Sequence, residues 1–353
     1  MPESPPAAPG SYHQAIGRHR AREGRRWRMV LLFTTLSLAV GILDIATGPA
    51  MLHPLAVIDA LLQSEGRDTA LDAIVIGLRL PMALMALVVG ASLGAGGAEM
   101  QTLLNNPMAS PYTLGMAAAA GFGAALALSF GGFGLPPLVA VPAGAFLMAM
   151  LAAGFLFLLS SLRRVSSETL ILGGIALLFL FQSLLSLVQF VASPELSQQI
   201  LFWLFGSLTK TTWTGLLITA AVTLVCCLLL LRDSWQLAAL RLGEARARSL
   251  GINIRALRLK VLILVALMTA TATSFVGVIG FVGLVAPHVA RMLVGEDQRF
   301  FLPMSVLAGA VMLGGASVLS KSIVPGALFP VGIVTAVIGV PFLLWLIFGG
   351  HRR

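Results

Sequence analysis

The chain has 353 residues, of which 58% are apolar and only 10% charged. A soluble domain of this length needs far more charge to cover its surface, which excludes a soluble enzyme or a soluble binding module. The net charge of +9, from 23 Lys and Arg against 14 Asp and Glu, reads as topology and not as affinity for nucleic acid, because Lys and Arg are retained in the cytoplasmic loops of membrane proteins.

Residues 1–28 are polar and rich in Pro and Arg. They are predicted to form a disordered cytoplasmic tail. The apolar run that starts at Met29 is longer than the core of a cleaved signal peptide. From there a transmembrane domain is predicted over 29–350, with ten crossings at roughly 29–48, 79–102, 112–131, 137–161, 167–191, 212–232, 259–278, 279–295, 302–320 and 330–348. The fold class is therefore all-α and polytopic. An even count puts both termini in the cytoplasm. With that orientation only Arg67, Arg79, Lys210 and Lys321 of the 23 basic residues lie outside.

Between the crossings, Pro49 to Asp72 is predicted as a short amphipathic helix on the outer surface. Ser193 to Thr212 carries an apolar half too short to span, which predicts a re-entrant or half helix. From Ala270 to Gly283 Thr, Ser and Gly crowd the run. Irregular backbone at membrane depth needs protein or water around it, so this segment is expected at a subunit interface or a pathway. Gly90, Gly94, Gly96, Gly97, Ala117 to Ala120 and Gly121 are small enough to let helices approach closely. Cys226 and Cys227 are adjacent, where a disulfide is rare, and are read as packing residues.

The second crossing runs from Arg79-Leu80-Pro81 into a polar, proline-punctuated break formed by Gln101, Asn105, Asn106 and Pro107, through which a helix cannot continue. Glu99 is the only charge between Pro81 and Asn105. A carboxylate in a span is costly unless paired, protonated or wetted. Two readings stand: a proton or cation site, or a structural pairing with a backbone donor or with the Asn105-Asn106 break. His288 stands without metal-ligand neighbours in the sequence and is read as a capping or packing residue, with no metal assigned.

The largest cytoplasmic loop, 233–258, holds Leu240-Arg-Leu-Gly-Glu-Ala-Arg-Ala-Arg-Ser-Leu-Gly-Ile-Asn253. Two helical stretches broken at Gly251 would make a compact knuckle of small apolar residues and arginines. Such a knuckle suits contact with a soluble partner, offering shape to transmit a push and charge to fix register. Simple retention of Arg in a cytoplasmic loop is the other reading. No Gly-x-x-x-x-Gly-Lys-Ser/Thr loop occurs, so this chain lacks the P-loop route to nucleotide phosphates.

Three spaced motifs carry a family resemblance. They are Leu242-Gly243-Glu244 with Ala247, Leu250 and Gly251; Gly277-x-Ile-Gly-Phe-Val-Gly-Leu-Val-Ala-Pro-His288-x-x-Arg291; and Pro330-Val-Gly-x-x-Thr-Ala-x-x-Gly-x-Pro341. With the second crossing and its break, they resemble the FecCD permeases of bacterial ABC importers for ferric siderophores, haem and cobalamin.

The resemblance implies a type II importer permease in the bacterial inner membrane, without an ATPase site of its own. Leu242, Gly243, Glu244, Ala247, Leu250 and Gly251 would then couple to a partner ATPase subunit that binds ATP and Mg. A periplasmic substrate-binding protein would dock through Arg79 and Lys321, although Met82 and Ala316-Ser317 depart from the family pattern there. A second permease copy or a related permease would complete the pathway, and no nucleic acid is involved. A ferric siderophore or similar iron chelate is the first expectation for the solute. A proton-coupled secondary transporter using Glu99 is the alternative.

Overall fold

A computed structural model describes residues 9–48, 73–162, 166–323 and 329–349. These fold into thirteen helices: α1 (Pro9–Ala46), α2 (Leu80–Leu104), α3 (Met116–Ser129), α4 (Pro137–Ser161), α5 (Ser167–Val191), α6 (Pro194–Leu204), α7 (Trp213–Arg232), α8 (Ser234–Leu240), α9 (Glu244–Ser249), α10 (Ile254–Val276), α11 (Val282–Val294), α12 (Gln298–Ser322) and α13 (Val331–Gly349). A π-helical turn, Val75–Arg79, leads into α2. Seven helices among the described residues are long and apolar enough to cross a membrane, and α3, α11 and α13 are shorter apolar helices. Together these ten helices coincide in position with the ten predicted crossings, seven of them at spanning length.

Polar side chains set where the helices begin. Ser166, Ser193, Thr212 and Asn253 each accept a hydrogen bond from the backbone N–H three residues on, and Asp297 accepts one from Arg299 N–H. Each cap satisfies a backbone donor that the first helical turn leaves open. Ser193 with Pro194 starts the eleven-residue α6, too short to span, as its apolar length predicted. The amphipathic helix expected over 49–72 lies outside the described residues.

The amino-terminal expectation needs correction. Residues 9–28 are helical and continuous with the first span, so that α1 runs for 38 residues, about 57 Å at 1.5 Å per residue. The prolines that argued for disorder are confined to the first nine positions. Beyond them Ala, Arg and Gln favour helix, and tertiary contacts hold the exit from the span. Arg26 pairs with Asp297 at 3.0 Å, and Trp27 stacks edge-on against Phe300 at 5.5 Å.

The centre of the molecule is α2, packed against α12, α11 and α10. Its contact surface is backbone. A Cβ added at Gly90 would lie 2.2 Å from Gly309 O, at Gly94 2.2 Å from Ser305 O, and at Gly97 1.7 Å from Gly283 O. No side chain fits in those gaps, so the glycine spacing along α2 is a packing requirement.

Between α10 and α11 the backbone leaves helix at Gly277 (φ 78°) and re-enters it after Phe281 (φ 66°). Protein covers this break. Ser207 N–H donates to Val276 O at 2.7 Å, a Cβ at Gly277 would lie 2.3 Å from Trp203 O, and Gly332 N–H donates to Phe205 O at 3.1 Å. The turn after α6 and the start of α13 therefore supply the enclosure that irregular backbone needs at this depth. Cys226 is buried and Cys227 half-buried, and both are free thiols.

Candidate functional site

The residues between α7 and α10 form an arm of two short helices. After α8, Leu242 and Gly243 reverse the chain, with Gly243 at φ 101°. α9 follows, and Gly251 at φ 80° turns into the Asn253 cap of α10. The break between the short helices thus falls at Gly243, and Gly251 separates α9 from the long helix, a refinement of the single break expected at Gly251. At both glycines an L side chain would be strained.

Charge holds the arm rigid. Glu244 accepts from Arg258 Nη2 at 2.7 Å through one oxygen and from Arg248 Nη2 at 2.9 Å through the other. Lys260 Nζ lies 2.6 Å from the buried Asp233. Ala247 is fully buried beneath, whereas Leu242 and Leu250 are 57% and 51% exposed. Two apolar side chains therefore stand proud of a braced base, flanked by the exposed Arg246 and Arg248.

Arg241, at the root of the arm, plugs into a socket made by α2, α12 and the loop before α12. Its Nη2 donates to Thr102 Oγ1 at 2.9 Å, its Nη1 lies 3.4 Å from Glu296 Oε2, and its guanidinium sits 4.7 Å from the centre of the Phe301 ring. Partial burial draws the Arg241 pKa down from its ordinary value, and Glu296 pushes the other way. Arg291 on α11 completes the socket. It pairs with Glu296 Oε1 at 3.0 Å, donates to Gln101 Oε1 at 3.1 Å, and lies 5.4 Å from the same ring. Glu296 thus bridges two arginines above one buried phenylalanine, an arrangement that combines ion pairing with cation–π attraction.

The second crossing stops where the polar break begins. Asn105 adopts a left-handed conformation (φ 46°, ψ 40°) as the cap of α2. Asn106 N–H donates to Gln101 O, and Asn106 Oδ1 accepts from Met108 N–H at 2.8 Å. Pro107 follows within this turn. Gln101 faces inward, its amide donating to Leu284 O and its oxygen held by Arg291. Glu99, fully buried, accepts a hydrogen bond from Gln298 Nε2 at the start of α12. Its partner is thus neither a backbone donor nor the Asn105-Asn106 turn. His288 is buried, with Nδ1 2.9 Å from Leu284 O.

Arg79 and Lys321, expected as docking cations, are each 7% exposed. Arg79 Nη1 donates to Ile45 O at 3.0 Å and Ala46 O at 3.2 Å, neutralising the carbonyl end of α1. Lys321 Nζ lies 2.9 Å from Asp44 Oδ1 and donates to Asp44 O at 3.1 Å. Both charges are thus engaged within the chain. The helix-closing carbonyls and Asp44, nearly 280 residues from Lys321 in sequence, hold them there.

Sequence reasoning missed Arg241, Thr102, Glu296, Arg291, Gln298 and Phe301 as one site. One signal was present: Glu296-Asp297 is an acidic pair next to Arg291 and Arg299, at the end where most arginines gather.

The helical bundle of apolar spans is also found in solved structures. A metal-chelate type ABC transporter in an inward-facing conformation matches with TM-score 0.79 and 31% identity, covering 91% of this chain and 99% of that one. PsaBC from Streptococcus pneumoniae, at 22% identity and TM-score 0.55, shares the fold over 83% of this chain and 94% of its own. These features define a multi-pass transport subunit of the type II ABC importer class. Within that class the chain belongs to the FecCD transport family, which matches residues 35–349.

Relatives include the hemin transport system permease HmuU of Yersinia pestis, 35% identical over 91% of this chain and 95% of that protein. The vitamin B12 import system permease BtuC of Vibrio vulnificus is 31% identical over 96% and 98%. The Fe(3+)-citrate import permease YfmE of Bacillus subtilis is 32% identical over 90% and 94%. Family membership places this chain with ABC transporter permeases.

Proposed function

We propose that this chain is the inner-membrane permease of an ATP-driven importer that carries a ferric siderophore or similar iron chelate from periplasm to cytoplasm, with both termini cytoplasmic. A partner ATPase binds ATP and Mg and hydrolyses the nucleotide. Its closure pushes on the arm at Leu242, Gly243, Glu244, Ala247, Leu250 and Gly251. A periplasmic binding protein delivers the chelate at the opposite end, where Arg79 and Lys321 lie, and a second permease subunit completes the pathway through the bilayer.

One observation carries this reading: Leu242 and Leu250 stay exposed on a base that Glu244 and Arg258 hold rigid. An exposed apolar pair on a flexible loop would absorb a push. On a braced knuckle rooted by Arg241 in α2 and α12, a push reaches the spans. Iron chelates are favoured among solutes because two relatives are named for hemin and ferric citrate and the matching structure for a metal chelate, with vitamin B12 the other chemistry represented.

The test is ATPase activity of the chain with a candidate ATPase in liposomes, with and without a binding protein, comparing wild type and Gly251→Pro. Proline cannot adopt φ 80° and removes the N–H that Gly251 donates to Arg248 O at 2.9 Å. Stimulation by the binding protein that the variant loses, while the complex still assembles, is the expected outcome. Absence of an associated ATPase, with uptake collapsing when the proton gradient is removed, overturns the reading. Uptake of labelled ferric siderophore, ferric citrate, haem and cobalamin then names the solute.

A further inference from the structure

Glu99 and Gln298 are both fully buried, and between them they hold two atoms without a partner. Gln298 Nε2 donates to Glu99 Oε1, which leaves Glu99 Oε2 and Gln298 Oε1 shielded from solvent with no hydrogen bond. An ionised carboxylate and an amide oxygen are acceptors only. If Glu99 were ionised, two buried acceptors on facing groups would both go unsatisfied, an arrangement that folded proteins avoid.

A single proton removes both faults. Placed on Glu99 Oε2 it converts that acceptor into a donor, and the donor it creates is the one that Gln298 Oε1 lacks. We propose that Glu99 is held as a neutral carboxylic acid that donates from Oε2 to Gln298 Oε1, closing a two-bond acid–amide pair that joins α2 to α12 beside the root of the arm.

The surrounding charges agree with a neutral joint, because each already has a partner elsewhere. Arg241 is engaged by Thr102 and Glu296, Arg291 by Gln101 and Glu296, and Asp233 by Lys260. The remaining titratable neighbour, Cys227 on α7, brings no cation. Nothing charged is committed to Glu99.

The position gives the pair its work. Thr102 and Phe301, the two walls that grip Arg241, lie three residues after Glu99 and Gln298, hence one turn further along the same two helix faces. The pair therefore fixes the spacing of the socket without competing for its cation. A carboxylate at 99 would attract Arg241 away from Thr102 and the Phe301 ring into a deeply buried ion pair. With Glu99 neutral, the charge of Arg241 answers to Glu296, which is solvent-accessible and can let go. Glu99 is thus a positioning residue for the arm, a consequence that rests on the function proposed above, whereas its protonation does not.

The test uses the full chain in lipid nanodiscs at neutral pH, without any ATPase. Infrared difference spectra are expected to contain the carbonyl stretch of a buried protonated carboxyl, above the amide band, and Glu99→Gln is expected to abolish it. Glutamine reproduces both bonds of the pair, so Glu99→Gln should keep the wild-type melting midpoint and the slow hydrogen exchange of residues 241–250. Gln298→Leu should lower the midpoint by several degrees and speed that exchange at least ten-fold. The double variant Glu99→Met with Gln298→Met should recover much of the midpoint, since neither polar group is then left alone.

A missing carboxyl band, or a Glu99→Gln chain as unstable as Gln298→Leu, overturns the proposal. Because no partner protein is needed, these outcomes are separate from failure of the ATPase experiment.

Discussion

Lys321 near the end of α12 reaches Asp44 near the end of α1, its Nζ 2.9 Å from Oδ1 and 3.1 Å from the backbone carbonyl, with the two side chains 4% and 1% exposed. An ion pair so dry is a poor source of net stability but a costly one to break, because the partner left behind is a buried charge. Lys321→Met is expected to destabilise the chain by about 3–5 kcal/mol. Adding Asp44→Asn should return most of that loss. A thermal melt in detergent that finds the single and double variants equally unstable would argue against the pairing.

The glycine seam allows a sharper test. A Cβ at Gly97 would lie 1.7 Å from Gly283 O. Gly97→Ala must force α2 and α11 apart, and is expected to cost about 1–3 kcal/mol or more, the range for overpacked cores. Gly315→Ala is the control, since a Cβ there meets nothing within 4 Å. Expression yield and melting midpoint should fall for Gly97→Ala alone.

At the root of the arm, Arg241 combines a hydrogen bond, an ion pair and a ring contact. Arg241→Met removes all three and leaves Glu296 to Arg291. The arm should loosen while the spans stay folded. With the Arg241 side chain only 12% exposed, a loss of about 1.5–3 kcal/mol confined to the seating of the arm is expected, so transport rate should drop by about ten-fold or more, with little change in the melting midpoint of the spans.

Leu250 is 51% exposed on the knuckle. Leu250→Glu should leave the fold intact. Burial of a leucine at an interface is worth about 1.5–3 kcal/mol, so affinity for the ATPase should weaken by about ten- to a hundred-fold. Co-purification of wild type and variant at matched expression measures it directly.

Asp297 offers a pH signature. Partial burial raises its pKa, but hydrogen bonds from Arg299 and the charges of Arg299 and Arg26 outweigh that and hold the carboxyl below its ordinary value. A carboxylate depressed in the folded state contributes stability that is fully present above its unfolded value, about 3.9, and is lost as pH falls through the folded one. The melting midpoint of wild type should therefore exceed that of Asp297→Asn at neutral pH, and the two curves should converge below about pH 4.

Much of this architecture was legible in the sequence because hydropathy and chain punctuation are local. The span that ends at Asn105, the short α6 and the arm at Leu242 to Gly251 all announce themselves within a window of twenty residues. Partner choice is not local. Glu99 meets Gln298 across 199 positions, Arg241 meets Thr102 across 139, and Lys321 meets Asp44 across 277. Arg79 and Lys321 were assigned to docking by family resemblance, and nothing near them in sequence announces Asp44 or the end of α1 as their partners. The helical start of α1 was missed for a different reason: prolines at its front coloured the reading of the arginine-rich stretch behind them.

The glycine contacts carry one mechanical implication. Where Gly90 meets Gly309 and Gly97 meets Gly283, backbone touches backbone, and no rotamer change can let one surface slide past the other. α2, α11 and α12 are therefore expected to travel as one stiff plate. Whatever opens and shuts the route for the solute is then a displacement of that plate as a whole against the helices hung around it, with no internal slip to absorb the push.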